Sequence, residues 1–371
     1  MRILVDIRFL SKGRGGGISE YTVNLLDTLF ALDNSNEYFL LYTGIRRVPL
    51  PYRWERIKNV QVIEKSISNR YLEVWMKLFG TPSFIKDLKL DLVFSPHLLF
   101  IEAGDIPQVM TFHDLSFLRF EEFFSRKSII WHKLQRFYQK GNSATHLIAD
   151  SNFTKSDLVK FLGVEEKKVS VIYPGVSEVF KPVSFDNLIL KNVLKKYGLK
   201  VPYILYLGEI QPRKNLEVII DAYTELKNRL PELELVIAGG LGYRGKDVKM
   251  EGVRYLGHVP DEDRLYLYSG ARVFVYPSFF EGFGLPPLEA QACGIPVIAS
   301  DRSSLVEVLG DSAILLSPWD TSGYIDAIYL LCTDEKKRRS IMSKGLKNVK
   351  RFSWRDSALN LLKVFLYAKK K

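Results

Sequence analysis

Two cysteines, Cys293 and Cys332, are too few for a disulfide framework and too isolated for a zinc site. No run approaches about 18 uninterrupted apolar residues, so no segment reads as a membrane span. The amino end, MRILVDIRFL, lacks both the long apolar stretch and the small-residue cleavage site of a secretory signal. Internal repeats and low-complexity tracts are missing as well, and the only tail is Lys369–Lys371. Together these absences predict a cytoplasmic protein. Acidic residues are also in short supply: 53 Lys and Arg face 42 Asp and Glu, a formal net charge of +11. Such a surplus suits nucleic acid, an anionic membrane surface or a phosphorylated substrate, or is simply a solvated basic surface.

Apolar material is plentiful. Hydrophobic residues make up 47% and charged residues 26% of 371, ordinary globular composition in a chain too long for one core. Short apolar strands alternate with helical patterns almost throughout. Arg2–Asp6, Leu92–Ser95, Gln108–Phe112, Leu147–Ala149 and Val169–Ile172 read as strands. Ile18–Leu32, Arg126–Lys140 and Asn152–Leu162 read as helices between them. The rhythm breaks over Tyr173–Gly198, which carries Pro174, Pro182 and a short basic helix around Leu194–Tyr197. A second series follows, with strands at Tyr203–Leu207, Leu233–Ala238, Val253–Leu256, Val273–Tyr276, Val297–Ser300 and Ala313–Leu316. Strands separated by helices and buried on both faces predict parallel sheets of βαβ units. The division is therefore an amino-terminal domain 1–175, a linker 176–198 and a carboxyl-terminal domain 199–353. Ligands are expected where loops leave the carboxyl ends of the strands.

Four such loops carry chemistry. Phe280-Glu281-Gly282-Phe283-Gly284-Leu285-Pro286-Pro287-Leu288-Glu289 follows a strand and opens a helix, with Pro287 suited to the first helical position. Its glycines allow close backbone approach, and free amides with the helix dipole suit a diphosphate. A carboxylate beside them can accept from sugar hydroxyls; otherwise Glu289 merely complements the dipole. Gly13-Arg14-Gly15-Gly16-Gly17-Ile18 is either a phosphate-cradling loop or a flexible strand-to-helix turn. It is not a dinucleotide fingerprint, because Ile18 and Glu20 stand where glycines are required. Thr111-Phe112-His113-Asp114 puts a histidine at a strand end, where it either orients a reacting group or is structural. Gly208-Glu209-Ile210-Gln211-Pro212-Arg213-Lys214-Asn215 places a basic pair before a helix, to hold phosphate oxygens or stand exposed.

Taken in their order along the chain, the four loops resemble the retaining glycosyltransferases of family 4. The likeness extends to Ser151-Asn152-Phe153-Thr154-Lys155, and it is nearest to bacterial O-antigen and lipopolysaccharide mannosyltransferases. The resemblance implies the GT-B fold: two doubly wound Rossmann-like α/β domains facing each other across a cleft, with helix 354–371 packing back on the first. It implies transfer of a hexose, mannose from GDP-mannose, to a glycan or lipid-linked acceptor in cell-surface polysaccharide synthesis. Neither a cofactor nor a metal is expected. Glu281 would hold donor-sugar hydroxyls, with the amides of Gly282, Phe283, Gly284 and Leu285 beside it. Glu289 would accept from the ribose, and Arg213 with Lys214 would neutralise the diphosphate. The backbone of Gly257, His258 and Val259 would meet the base, His113 would point at the donor sugar, and Gly16 and Gly17 would approach phosphates or acceptor. The sequence departs from the family at Glu209 and Ile210, where many members carry an arginine; Arg213 would take over that charge.

Asp261-Glu262-Asp263 has the form of a metal-binding acidic pair used by another transferase architecture, but it follows Pro260 and opens a helix, where acids cap. Arg70–Phe79 and Arg126–Lys140 mix basic and aromatic residues in a way that suits peripheral contact with an anionic membrane. Three rival functions are a UDP-sugar-dependent glucosyl- or N-acetylglucosaminyltransferase of the same fold, a nucleotide-dependent oxidoreductase, and a non-enzymatic basic binding protein. Nucleic acid has only net charge in its favour.

Overall fold

The computed structural model describes residues 1–13, 16–45, 50–51, 53–99, 101–245 and 251–371. The chain divides into two compact units: 1–119, 126–175 and 353–371 form the first, and 120–125 with 176–352 form the second.

In the first unit the strands are β1 (Arg2–Asp6), β2 (Glu37–Thr43), β3 (Val60–Lys65), β4 (Leu92–Ser95), β5 (Gln108–Phe112), β6 (His146–Ala149) and β7 (Val169–Val171). They form one parallel sheet in the order β3-β2-β1-β4-β5-β6-β7. Side chains alternate across it as a pleated strand requires. Ile3 and Val5 join a core with helices Gly17–Leu32 and Trp354–Lys369, while Leu4 joins Leu72, Met76 and Ile85 on the opposite face. Helix Trp354–Lys369 is started by Ser353, whose hydroxyl accepts from the Asp356 amide. It buries Leu361 and Phe365 against β4, Phe365 meeting Phe94 edge to face at 5.3 Å.

The second unit contains β8 (Tyr203–Leu207), β9 (Glu234–Ala238), β10 (Val253–Gly257), β11 (Val273–Tyr276), β12 (Val297–Ser300) and β13 (Ile314–Leu316). Their order, β10-β9-β8-β11-β12-β13, is again parallel. Both sheets reverse strand order beside their first strand, which opens a crevice at the carboxyl rim there.

Three expectations are corrected. Segment 176–198 is part of the second unit rather than a linker. Its helix runs over Leu188–Lys196, is capped by Asn187, and packs buried Leu190 and Val193 against helix Asp261–Gly270. The expected helix Arg126–Lys140 is two, Arg126–Leu134 and Phe137–Ser143, because Arg136 takes a left-handed φ of 54° and Phe137 turns in to meet Phe117. Strands β2 and β3 fall on segments to which the periodicity assigned no element. Within the second unit, Phe120 lies edge to face on Phe280 and Phe123 stacks on Phe279.

Candidate active site

On the carboxyl rim of the second sheet, loops from β8, β11, β12 and β13 are tied by side chains bonding to backbone. Arg213 donates to the Phe280 carbonyl at 2.7 Å, and the Phe279 amide donates to the Arg213 carbonyl at 2.9 Å. Asn215, held at φ 54°, reaches the Pro277 carbonyl at 3.3 Å and the Pro318 carbonyl at 2.6 Å. Ser303 accepts from the Glu281 amide at 2.9 Å. Ser304 donates to the carbonyls of Glu281 and Phe283 at 2.9 and 3.0 Å. Gly284 sits at φ 102°, where a Cβ would come within 2.6 Å of Leu305, so the turn into helix Leu285–Ala292 requires glycine. That helix starts at Leu285, two residues before the expected Pro287.

This stitching holds three charges together. Lys214 Nζ donates to Glu281 Oε1 at 2.6 Å and to the Tyr276 hydroxyl at 2.7 Å, and Arg213 lies 3.3 Å from Glu281 Oε2. Lys214 and Glu281 are each 7% exposed. Burial alone would push the Glu281 carboxyl up, but the Lys214 and Arg213 charges outweigh it and hold the group at about 2. For Lys214 burial wins over the attraction of Glu281, and its ammonium falls to about 8. An ionised carboxylate has about four lone-pair positions, so Glu281 keeps room to accept from hydroxyl groups beyond its two cations. The set can therefore grip an anion through Arg213 and Lys214 and a polyol through Glu281.

Glu289 is brought near the same rim but into other company. Its oxygens accept from the Arg264 guanidinium and, at 2.8 Å, from the Tyr268 hydroxyl, all three groups being buried or nearly so. Asp263 bonds Lys196 Nζ and the Tyr197 hydroxyl, both at 2.6 Å, which anchors helix Leu188–Lys196. Gly257, His258 and Val259 leave the carboxyl end of β10, which is separated from β8 by β9. Gly257 has a φ of 65° and its carbonyl accepts from the Gly239 amide at 2.7 Å.

His113 belongs to the first unit, just past β5. Its Nδ1 lies 2.6 Å from Asp150 Oδ2 and its Nε2 lies 2.9 Å from the Pro96 carbonyl. A carbonyl and a carboxylate both accept, so the two contacts favour the ring's protonated form, in which both nitrogens donate. Burial opposes that charge, but Asp150 and the Pro96 carbonyl outweigh it and raise the pKa. Tyr21 meets the ring edge to face at 4.7 Å. Gly16, at φ 96°, and Gly17 start helix Gly17–Leu32 after the first strand; Arg14 and Gly15 of that loop lie outside the described residues. Sequence reasoning missed Asp150, Tyr276, Ser303, Ser304 and the Arg264–Tyr268 pair. A signal existed for Asp150, an acid directly following a buried strand.

Residues 15–179 match the model described as Glycosyltransferase Family 4, and residues 192–348 match Glycosyl transferases group 1. The O-antigen chain mannosyltransferase B of Escherichia coli is 32% identical over 69% of this chain and 69% of its own length. The chain belongs to glycosyltransferase family 4. It is also 30% identical, over 58% of its length, to the serotype-specific mannosyltransferase WbdA of Escherichia coli, of which it spans 28%. Among solved structures, sucrose-phosphate synthase from Thermosynechococcus elongatus superposes with a TM-score of 0.75 at 19% identity, covering 99% and 98% of the two chains. At that identity the likeness is one of fold, the GT-B pairing of two parallel-sheet domains. Family membership makes the chain a glycosyltransferase and sets aside the oxidoreductase and binding-protein readings.

Proposed function

We propose that this glycosyltransferase moves mannose from GDP-mannose to a glycan or lipid-linked acceptor, with retention of anomeric configuration and without a metal ion. One observation carries the chemistry: two cations, buried Lys214 and partly exposed Arg213, flank an ionised Glu281 at the mouths of β8 and β11. The sugar assignment is supported by the mannosyltransferases of Escherichia coli among the relatives.

The carbon–oxygen bond between the anomeric carbon and the diphosphate breaks, and its electron pair stays with the diphosphate. The acceptor hydroxyl oxygen bonds to the anomeric carbon on the same face and its proton passes to the departing phosphate. Negative charge grows on the leaving group, where Lys214 and Arg213 act as a preorganised clamp. Glu281 holds sugar hydroxyls, with the amides of Gly282, Phe283, Gly284 and Leu285 beside it. Glu289 meets the ribose, and Gly257, His258 and Val259 frame the base. His113 faces the donor sugar as a positioned polar group rather than as a base, since both its nitrogens are engaged by Asp150 and the Pro96 carbonyl. Gly16 and Gly17 face phosphate or acceptor.

The test is transfer from GDP-mannose to an acceptor glycan, with the product's anomeric configuration read by NMR. Lys214→Ala and Glu281→Ala should each lower kcat by roughly 10²–10³, the scale for losing one preorganised group. Near-normal rates in both variants, or an inverted product, would overturn the assignment.

A further inference from the structure

Of the five tryptophans only Trp319 is exposed, at 67%, just past the end of β13 on the carboxyl rim of the second sheet. A single exposed apolar side chain is ordinary. This one ends a row of rings. Phe123 stacks on Phe279 at 5.9 Å, and Phe279 meets Trp319 at 5.3 Å with the planes tilted by 42°. The Arg302 guanidinium lies over the Trp319 ring, 5.1 Å from its centre.

The neighbours that place this ring also place the candidate site. Phe279 stands close before Glu281 in the chain, and its amide donates to the Arg213 carbonyl. Arg302 precedes Ser303, which accepts from the Glu281 amide. Pro318, next to Trp319, gives its carbonyl to Asn215, the neighbour of Lys214. Strand order adds a direction. Gly257, His258 and Val259 leave β10 at one edge of the sheet, the Lys214 and Glu281 loops leave β8 and β11 in its middle, and Trp319 leaves β13 at the other edge. With the base at β10 and the diphosphate at Lys214, as proposed above, the hexose ends the donor at Glu281. The aromatic row stands beyond that end, on the side left for the acceptor.

Polar groups of both signs border the ring. Asp301 and Arg302 pair at 3.1 Å, their side chains 43% and 46% exposed, and offer acceptors and donors side by side. Glu121 and Glu122 are exposed on the turn that carries Phe123. Asp320 is already used, capping helix Thr321–Thr333 through the Gly323 amide. Such a border suits a neutral polyol better than a phosphate or another anion.

We infer that Trp319 and Arg302 form a subsite for a pyranose of the acceptor glycan. A pyranose has C–H groups on its flat face and hydroxyls around its edge. The C–H face packs on the electron-rich face of the indole, and the hydroxyls meet Asp301 and Arg302. One exposed indole matches one sugar ring, whereas a stable protein partner would bury roughly 800 Å² on this side. The subsite's place in the acceptor rests on the proposed transferase reading; saccharide binding by Trp319 does not.

The test is calorimetric titration of mannotriose and of maltotriose into the full chain without nucleotide. Saturable binding of at least one is expected. Trp319→Ala should weaken it roughly tenfold or more, the scale for an aromatic hot spot, while Trp319→Phe, which keeps a ring, should retain most of it. Circular dichroism and GDP binding should be the same in all three proteins. In transfer, Trp319→Ala should raise KM for a glycan acceptor by a similar factor and leave KM for GDP-mannose unchanged; the reverse pattern would put the ring against the donor sugar instead. Binding of neither saccharide, or equal binding by wild type and Trp319→Ala, would overturn the inference. Self-association in light scattering that Trp319→Ala abolishes, without saccharide binding, would assign the ring to a second copy. A wild type that binds saccharide through Trp319 but no nucleotide would count against the donor reading and keep the subsite.

Discussion

Lys214 is the residue whose charge the proposed mechanism uses and whose environment works against it. Burial lowers its ammonium to about 8 from an ordinary value of 10.5. A lowered lysine pKa means that the folded protein releases this proton as pH rises through about 8, while the unfolded chain keeps it until 10.5. The clamp therefore loses a charge on the alkaline side. We expect kcat/KM, which reports the free enzyme, to fall above pH of about 8. Lys214→Arg should keep its activity to higher pH, because a guanidinium does not deprotonate there. A profile flat on the alkaline side, the same in both proteins, would separate Lys214 from the chemistry. Glu281 loses its proton far below this range, at about 2, and adds no slope of its own. Glu281, Arg213 and Lys214 are legible in the sequence because each stands in a short loop between a buried strand and a helix. The partners of His113 and Lys214 are not. Asp150 meets His113 only because β6 lies beside β5, and Tyr276 reads as one more apolar residue of β11 until its hydroxyl is seen against Lys214. Glu289 shows the converse, a residue picked out by position whose oxygens the fold has given to Arg264 and Tyr268.

Among the elements, helix Trp354–Lys369 has the clearest structural task. It is last in sequence, yet it belongs to the first unit, covering the sheet beside helix Gly17–Leu32. Phe365 is fully buried there against Phe94. Phe365→Ala should cost about 3–5 kcal/mol, the range for removing a buried aromatic ring. Four of the five tryptophans, Trp54, Trp75, Trp131 and Trp354, lie in the first unit, so tryptophan fluorescence in urea reads that unit. The midpoint of its transition should move to lower urea; an unchanged midpoint would mean that the helix is dispensable to the core. Elements with strong punctuation are legible: the strands ending in the Glu281 and Lys214 loops and the helix begun at Ser353 all are. Strand β2, EYFLLYT, is harder, because a run buried on both faces shows no alternation and a short apolar run also fits a helix. The break at Arg136 is set by where Phe137 finds its partner, a tertiary choice that overrides a continuous helical pattern.

At the scale of the whole molecule, the repeated alternation of apolar strand and helix is enough to specify two parallel α/β halves. Their boundaries are not legible from composition. Segment 176–198 has the proline and polar residues of a linker, but two inward side chains, Leu190 and Val193, commit it to the second unit. Likewise, Phe120 and Phe123 draw 120–125 onto Phe280 and Phe279. The basic surplus also resolves into places. Part of it is the pair Arg213 and Lys214, proposed to face the diphosphate. The central claim is that the second unit grips a nucleoside diphosphate through Arg213 and Lys214 without a metal. Calorimetric titration of GDP and of UDP into the full chain with EDTA present tests it most directly, with Lys214→Ala as the control. The account predicts tight GDP binding, weaker UDP binding, and loss of both in the variant. Preference for UDP would overturn the mannose assignment and leave the clamp standing, whereas binding that requires a metal, or survives Lys214→Ala unchanged, would contradict the clamp itself.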